Sequence, residues 1–151
     1  MTVTDRDFTY TKQSTIQGTG LFAKKTIPKG TRILAYQGLR VPRADLLDDV
    51  SKGLTSMRYI MHLNDTTVID AEREGNDARF ANHSCTPNCE VICFDGIPYI
   101  YAMYEITPDS EITFDYKLNF QSPVHITEAQ QKEWFPCQCG SPNCRGTLLA
   151  L

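Results

Sequence analysis

One short polar segment, RFANHSCTPNC at residues 79–89, constrains this chain more than any other part of it. It combines an Arg, an Asn-His pair and two Cys, and Pro87 stiffens its middle. Asn, His and Ser fit poorly into a helix interior and readily hydrogen-bond to nearby backbone groups. Because apolar segments flank this stretch, we expect it to hold a ligand or to form a tight buried crossing.

Length and composition indicate one globular domain. The chain has 151 residues, of which 41% are hydrophobic and 22% charged, and its net charge is −3. Its apolar runs are too short for a membrane span, and its polar amino-terminal stretch gives no secretory signal. The charge lacks the basic footprint of a nucleic-acid binder, so no direct nucleic-acid partner is expected. A mild negative charge suits a basic substrate, but it is more often a matter of solubility alone.

Short strands dominate the predicted secondary structure. Strands are expected at residues 8–14, 31–36, 57–63, 66–70, 90–94, 97–103 and 111–116. Asp95-Gly96 between two of them is a strong hairpin signal. Short helices are expected after Pro42 and from Thr127, which has capping-box spacing, to about Trp134. The pattern predicts a mainly β domain with few, short helices and a Cys-rich appendage.

Six cysteines without a secretory signal indicate thiolate chemistry in a reducing, intracellular compartment rather than disulfides. Cys137, Cys139 and Cys144 place three thiols within eight residues, with turn-forming residues between them. A structural zinc ion takes four ligands, so one ligand is missing locally. The candidates for the fourth are His125, Cys85, Cys89 and Cys93. Three unpaired thiols on a tail are the weaker alternative, because exposed cysteine clusters are reactive.

Two further features are weak when taken alone. Gly18 and Gly20 would let backbone approach a ligand, but a plain turn is the commoner explanation, and the third glycine of a dinucleotide-binding motif is absent. His83 by itself is more often a structural hydrogen bonder than a catalyst. Tyr116 stands out because it ends an apolar strand.

Taken together, five segments in a fixed order resemble the SET-domain protein lysine methyltransferases, nearest the trithorax/MLL type. The segments are GTGLFA (18–23), YQG (36–38), VIDAEREGNDARFANHSCTPNC (68–89), EITFDY (111–116) and CQCGSPNCRG (137–146). The resemblance implies a SET-domain β-clip, in which small sheets surround a pseudoknot formed by the segment at 79–85. It implies a SET domain at 8–120, then a linker helix and a zinc-binding post-SET segment at 121–151. No cysteine-rich segment precedes the domain, which suggests a nearly minimal enzyme.

The resemblance also implies an activity, the transfer of methyl from S-adenosyl-L-methionine to a lysine ε-amine of a protein substrate. Histone H3 is the family's usual substrate, and a histone tail or another basic segment is the expected partner. The implied cofactor contacts are Gly18, Gly20, Leu21, Tyr36, Arg79, Phe80, Asn82, His83, Tyr116 and Leu148. The implied catalytic residues are Tyr116, Tyr36 and His83, and the implied substrate channel is lined by Tyr59, Phe114 and Tyr116.

For the metal, the resemblance selects Cys85 as the fourth ligand of one structural zinc ion, together with Cys137, Cys139 and Cys144. Cys89 and Cys93 are then expected to be buried thiols, and His125 to have no metal role. The helix after Pro42 carries Asp45, Asp48 and Asp49, which could help to hold a basic tail but are more simply a solvated helix face.

Methyl transfer to an amine is an in-line displacement in which alignment matters most. The attacking lysine must be neutral, although its ordinary pKa is about 10.4. An apolar channel and a nearby positive charge would both lower that pKa. Phe114 stands where the family has Phe or Tyr, and Phe removes a water anchor beside the amine, so more than one methyl is expected to be added.

Two other classes of function compete with the enzyme. A catalytically weak SET-like module could bind a peptide or a partner protein through its zinc tail, but Tyr116 and the Asn-His pair are intact. A zinc-ribbon nucleic-acid binder needs paired cysteine knuckles and basic charge, and the chain has neither.

Overall fold

The computed structural model describes residues 7–56, 58–116, 127–134 and 136–148. Within these residues the chain forms ten strands and two α-helices, with 3₁₀ turns at Arg43–Asp45 and Asp77–Phe80. The strands are β1 (Thr9–Gln13), β2 (Thr19–Ala23), β3 (Arg32–Ala35), β4 (Leu39–Pro42), β5 (Ile60–His62), β6 (Thr67–Asp70), β7 (Asn82–His83), β8 (Cys89–Phe94), β9 (Ile97–Ala102) and β10 (Thr113–Phe114). The helices are α1 (Leu46–Ser51) and α2 (Glu128–Trp134).

The strands form four small sheets rather than one large layer. β1 pairs with β2, β6 lies between β4 and β5, and β9 lies between β3 and β8, all in antiparallel pairs. β7 and β10 form a parallel pair. The expected fold class, mainly β with small sheets and few short helices, is confirmed. Neither helix among the described residues has the length and apolarity that a membrane span requires.

The predicted turn between β8 and β9 and the predicted helix cap at Thr127 are both present. Asp95 and Gly96 have φ angles of 53° and 78°, as the tight turn between β8 and β9 requires. Thr127 and Gln130 cap α2 reciprocally, at 2.8 and 3.1 Å. The expected strand at 111–116 is shorter, because only its two central residues find a partner strand. β4 was not predicted, because it has only four residues and ends in a proline.

Apolar side chains gather in two unequal cores. The main core includes Leu21, Ile27, Ile33, Ile69, Ile100 and Ile112, each at most 2% exposed. A second, much smaller core consists of Val41, Leu46 and Val68, with Leu39 and Ile60 packed against it. This second core lies within residues 39–56 and 58–68, which we call the insert. The insert therefore carries its own small core beside the main one.

Candidate functional site

The polar segment at 79–89 forms the buried crossing that its composition predicted. Asn82 and His83 lie opposite Thr113 and Phe114 in the parallel β7–β10 pair. The side chain of Asn88 stabilises this pair with two hydrogen bonds. Its Nδ2 donates to the carbonyl oxygen of Glu111 at 2.8 Å, and its Oδ1 accepts from the backbone N–H of Thr113 at 3.0 Å. The crossing thus satisfies its backbone groups with its own polar side chains.

Residues 17–20, which we call the glycine loop, are joined to this crossing through Asn82 and Glu111. Asn82 Nδ2 donates to the carbonyl of Gln17 at 3.0 Å and to Glu111 Oε2 at 2.9 Å. A Cβ on Gly20 would lie 2.6 Å from Glu111 Oε2, and Gly18 has a φ of 46°. The φ angle favours glycine at position 18, and the absence of a Cβ at Gly20 leaves room for the Glu111 carboxylate. The role of Glu111 was not predicted, because nothing in its sequence context separates it from an ordinary strand-end carboxylate.

Changing Asn82 to Asp is expected to lower the free energy of unfolding by about 2–4 kcal/mol. The substitution removes the NH₂ group that donates to the Gln17 carbonyl oxygen and to Glu111 Oε2. The new carboxylate oxygen would repel both acceptors. Urea denaturation measures the change. The matched control is Asn64→Asp, because Asn64 uses only Oδ1, accepting from Thr66 and Thr67. An equal loss of stability in both variants would contradict the assigned role of Asn82.

His83 links the crossing to Tyr116. The backbone N–H of Tyr116 donates to His83 Nδ1 at 3.0 Å, and His83 Nε2 lies 3.4 Å from Cys85 Sγ. Burial lowers the pKa of His83 and outweighs the opposing effect of the Asp115 carboxylate, and the nearby Arg145 lowers this pKa slightly further. The imidazole is therefore neutral at pH 7, and because Nδ1 accepts, its proton lies on Nε2.

The phenol of Tyr116 is also held. Its hydroxyl donates to the carbonyl oxygen of Ala81 at 2.7 Å. Burial raises the pKa of Tyr116, and burial likewise raises the pKa of the neighbouring Tyr36. Both phenols consequently stay protonated at neutral pH and can act as hydrogen-bonding groups rather than as bases.

A cleft of about 740 Å³ lies beside Tyr116, and insert residues 58–65 contribute one side of its lining. The expected site residues that line it are Tyr36, Tyr59, Arg79, Phe114 and Tyr116. The rings of Phe114 and Tyr116 are 5.0 Å apart between centroids. The cleft therefore has an aromatic lining around the Tyr116 phenol.

The remaining expected cofactor residues do not line this cleft. Gly18, Gly20 and Asn82 belong to the hydrogen-bonded crossing, while Leu21 is fully buried in the main core. Phe80 packs edge-on against Tyr59, with ring centroids 6.0 Å apart. His83 is engaged with Tyr116 as described above, and Leu148 is half-buried at the end of the described tail.

Four thiols meet at the base of the tail. The Sγ atoms of Cys85, Cys137, Cys139 and Cys144 all lie within 4.8 Å of one another. Cys85 Sγ and Cys137 Sγ are 3.8 Å apart, which is close to the edge of a tetrahedron built with zinc–sulfur bonds of about 2.3 Å. The resemblance selected this same set of four, and its geometry is compatible with a metal ion.

Backbone N–H groups point at the sulfur atoms of this cluster. Arg145 N–H donates to Cys85 Sγ and Gly146 N–H to Cys144 Sγ, each at 3.3 Å. Burial disfavours the ionisation of Cys139, but hydrogen bonds from the Cys85 and Ser141 backbone and from neighbouring thiols outweigh it and lower its pKa to about 6. These donors favour the thiolate at Cys139, the form that binds a metal, whereas burial raises the pKa of Cys85 and of Cys137.

The other candidates for the fourth ligand lie elsewhere. Cys89 is 1% exposed in the main core, where burial raises its pKa to about 12. Cys93 is exposed, so the expectation of a buried thiol there is wrong. The reason is that the hairpin end of β8 extends beyond the core, leaving its last three residues exposed. His125 lies outside the described residues.

The tail is docked against the Tyr116 segment by residues that the sequence did not single out. The Arg145 guanidinium donates to both carboxylate oxygens of Asp115, at 2.7 and 3.1 Å, and Asp115 lines the cleft. Thr86 Oγ1 also donates to Ser141 Oγ at 2.8 Å. The thiol cluster and the cleft are therefore mechanically linked.

Known proteins share both the motifs and their order. A family model described as SET domain matches residues 18–117. One relative, "Histone-lysine N-methyltransferase, H3 lysine-4 specific" of Aspergillus oryzae, is 37% identical over 149 residues, covering 90% of this chain and 11% of the relative. The protein of the same name in Saccharomyces cerevisiae is 36% identical over 144 residues, covering 90% and 13%.

A human relative, "Histone-lysine N-methyltransferase 2B", is 38% identical over 143 residues, covering 90% of this chain and 5% of the relative. The chain thus spans only 5–13% of the length of these relatives, and these matches agree with the expected likeness to the trithorax/MLL type. The family model covers most of the chain, including the glycine loop, the crossing and the Tyr116 segment. With the crossing, the cleft and the docked tail all present, this chain belongs to the SET-domain family.

Proposed function

We propose that this chain is a protein-lysine N-methyltransferase that uses S-adenosyl-L-methionine. The observation that carries the proposal is the placement of the Tyr116 phenol, fixed on Ala81 and exposed to an aromatic-lined cleft beside the crossing. The names of the relatives, which are histone-lysine N-methyltransferases, support it. A protein substrate that presents a lysine, from a histone tail or another basic segment, is the proposed partner, and we propose no direct nucleic-acid partner.

The residues present fit the proposed cofactor. Gly18 and Gly20 lie on either side of Thr19, and Asn82 binds the carbonyl oxygen of Gln17 directly before them. Arg79 Nε is buried and makes no hydrogen bond to the described residues, so an acceptor from a bound ligand would satisfy it. We propose that these residues, with Leu21, Tyr36, Phe80, His83, Tyr116 and Leu148, hold S-adenosyl-L-methionine, which supplies the methyl group.

The residues of the chain contribute orientation more than acid–base chemistry. The protonated Tyr116 hydroxyl is proposed to orient the lysine amine, and Tyr59 and Phe114 to exclude water from its side chain. Such exclusion favours the neutral, nucleophilic form of the amine. Tyr36 is proposed to act beside Tyr116. Both ring nitrogens of His83 are engaged, so we propose that its catalytic contribution is to position Tyr116.

A labelled-methyl assay tests the proposal. Purified protein is incubated with S-adenosyl-L-methionine and a peptide from the amino-terminal tail of histone H3, then with whole-cell proteins, and mass spectrometry locates the modified lysine. Labelled lysine is the expected result. Binding of S-adenosyl-L-methionine without transfer to any protein would overturn the proposal and favour a peptide-binding module.

Phe114 is proposed to allow more than one methyl to be added, so Phe114→Tyr is expected to shift the product toward monomethyl-lysine. Phe114 is 7% exposed and packs against Tyr116, so an added hydroxyl would anchor a water next to the amine. Mass spectrometry of the product at full conversion measures the ratio of methylation states. The same ladder from wild type and variant would contradict this role, and Phe114 would then serve only the core.

We also propose one structural zinc ion, bound by Cys85, Cys137, Cys139 and Cys144, whose sulfur geometry supports it. The division into a SET domain at 8–120 and a post-SET segment at 121–151 goes with this proposal, although residues 117–126 lie outside the described residues. Six free cysteines support a reducing, intracellular location.

A further inference from the structure

The insert forms one side of the cleft, and its two parts are attached differently. Tyr59, Met61 and Leu63 pack against the main core, whereas the buried side chain of α1, Leu46, belongs to the small core. Its small core contains three buried side chains, and the residues that line the cleft, 58–65, follow directly after α1 and its loop. A small core of this kind can shift relative to a larger one unless other contacts fix it. The polar contacts between α1 and the main body therefore contribute to where the cleft wall lies.

Arg73 makes the central contact of this kind. Its Nε donates to Asp70 Oδ2 at 2.8 Å, and its Nη2 donates to Asp49 Oδ2 of α1 at 3.0 Å. The Asp70 side chain is fully buried, and the side chains of Asp49 and Arg73 are only 17% and 21% exposed. Charged hydrogen bonds so weakly exposed to water are less screened than surface pairs. Arg73 thus bridges α1 to the turn that follows β6.

Neighbouring residues of the same turn fasten the chain after α1. The Glu72 carboxylate accepts from both the backbone N–H and the hydroxyl of Ser56. The N–H of Ala71 donates to the carbonyl oxygen of Tyr59 at 2.8 Å. One four-residue turn, 70–73, therefore holds the insert at three successive points.

Displacement of α1 would reach the cleft through packing. Leu46 of α1 lies in the small core against which Ile60 packs, and Ile60 lines the cleft next to Tyr59. We infer that Arg73, acting through Asp49, is a positioning residue that holds the insert wall in its peptide-binding position. The inference rests on the proposed function, and it adds a determinant of substrate binding that touches neither the lysine nor the cofactor.

The two neighbouring aspartates of α1 have different surroundings. Asp48 pairs with Lys52 at 2.8 Å on an exposed surface, where both side chains are at least 60% exposed. Asp49 faces inward to Arg73. The acidic residues of this helix therefore do not form one uniform solvated face, and Asp48 provides a matched control for Asp49.

The test compares Asp49→Ala with Asp48→Ala in the complete chain. For Asp49→Ala, KM for the histone H3 tail peptide is expected to rise about tenfold, because the binding-competent position of the insert would be populated in only about a tenth of the molecules. We expect kcat at saturating peptide and the Kd for S-adenosyl-L-methionine to stay within about twofold. Asp48→Ala is expected to match wild type in all three quantities.

Hydrogen–deuterium exchange provides a readout that needs no turnover. Asp49→Ala is expected to exchange faster in the insert but not in β9, and Arg73→Lys, which retains one of the two contacts, is expected to fall between wild type and Asp49→Ala. If Asp49→Ala does not fold, Asp49→Asn, which keeps an acceptor oxygen, replaces it. An unchanged KM, a rise shared by Asp48→Ala, or an equal fall in cofactor binding would each overturn the inference. Absence of transfer by wild type would instead reject the proposed function.

Discussion

Replacing Tyr116 with Phe is expected to lower kcat for methyl transfer at least about 100-fold, because a small loss of alignment costs that much in an in-line reaction. The variant removes only the hydroxyl, which donates to Ala81 at 2.7 Å. Losing this hydrogen bond should cost about 1 kcal/mol of stability. Steady-state kinetics with labelled S-adenosyl-L-methionine measure the first effect, and thermal denaturation measures the second.

Tyr101→Phe is the matched control for this experiment. Its hydroxyl also makes one hydrogen bond, accepting from Arg32 Nε at 2.8 Å, but Tyr101 does not line the cleft. It should lose similar stability and keep kcat within about twofold. If both variants retain wild-type kcat, then Tyr116 does not orient the reacting amine.

Replacing Cys85 with Ser is expected to abolish stoichiometric zinc binding and to reduce kcat/KM at least tenfold. Structural zinc sites contribute about 10–16 kcal/mol to the folding of the segments they join, and here they would join the crossing to the tail. Without the ion, the Arg145–Asp115 pair and the Thr86–Ser141 hydrogen bond would have to hold the tail beside the cleft. Metal analysis and the transfer assay should therefore report parallel losses.

Cys93→Ser is the matched control for the metal, because Cys93 is exposed on β8 and lies outside the thiol cluster. It should retain one zinc ion, and zinc content is the readout of this control because Cys93 also lines the cleft. Treatment of wild type with a chelator should reproduce the Cys85→Ser phenotype, and added zinc should reverse it. Loss of zinc from Cys93→Ser or Cys89→Ser, but not from Cys85→Ser, would show that the ligand set is wrong.

The sequence was most informative where short-range chemistry determines structure. The Asp95-Gly96 turn and the cap at Thr127 follow from local backbone preferences, and both are present. The thiol cluster was predicted through the family resemblance, because spacing alone left four candidates for the fourth ligand. The resemblance also grouped four aromatic residues with Tyr116. Tyr36, Tyr59 and Phe114 line the cleft together with Tyr116, and Phe80 packs against Tyr59.

The contacts that hold the site together were not predicted. Arg73, Glu111 and Arg145 each pair with groups that are distant in the sequence or depend on tertiary placement. Long charged side chains are usually solvated, so their residue type gives no signal of such a role. The exposure of Cys93 was missed for a related reason, since only the fold shows where a hairpin leaves the core.

The parallel pairing of β7 with β10 also determines at which stage of folding the site can form. Residues 82–83 pair with residues 113–114, and the Asn82 side chain contacts Gln17. The chain segments between these residues must therefore close into loops before the site can take its binding geometry. Such long-range pairing slows folding relative to helical domains of similar size. During synthesis, the crossing cannot close before residue 114 has left the ribosome, and the Arg145 fork must wait longer still. Assembly of the site is therefore a late event in the folding of this chain.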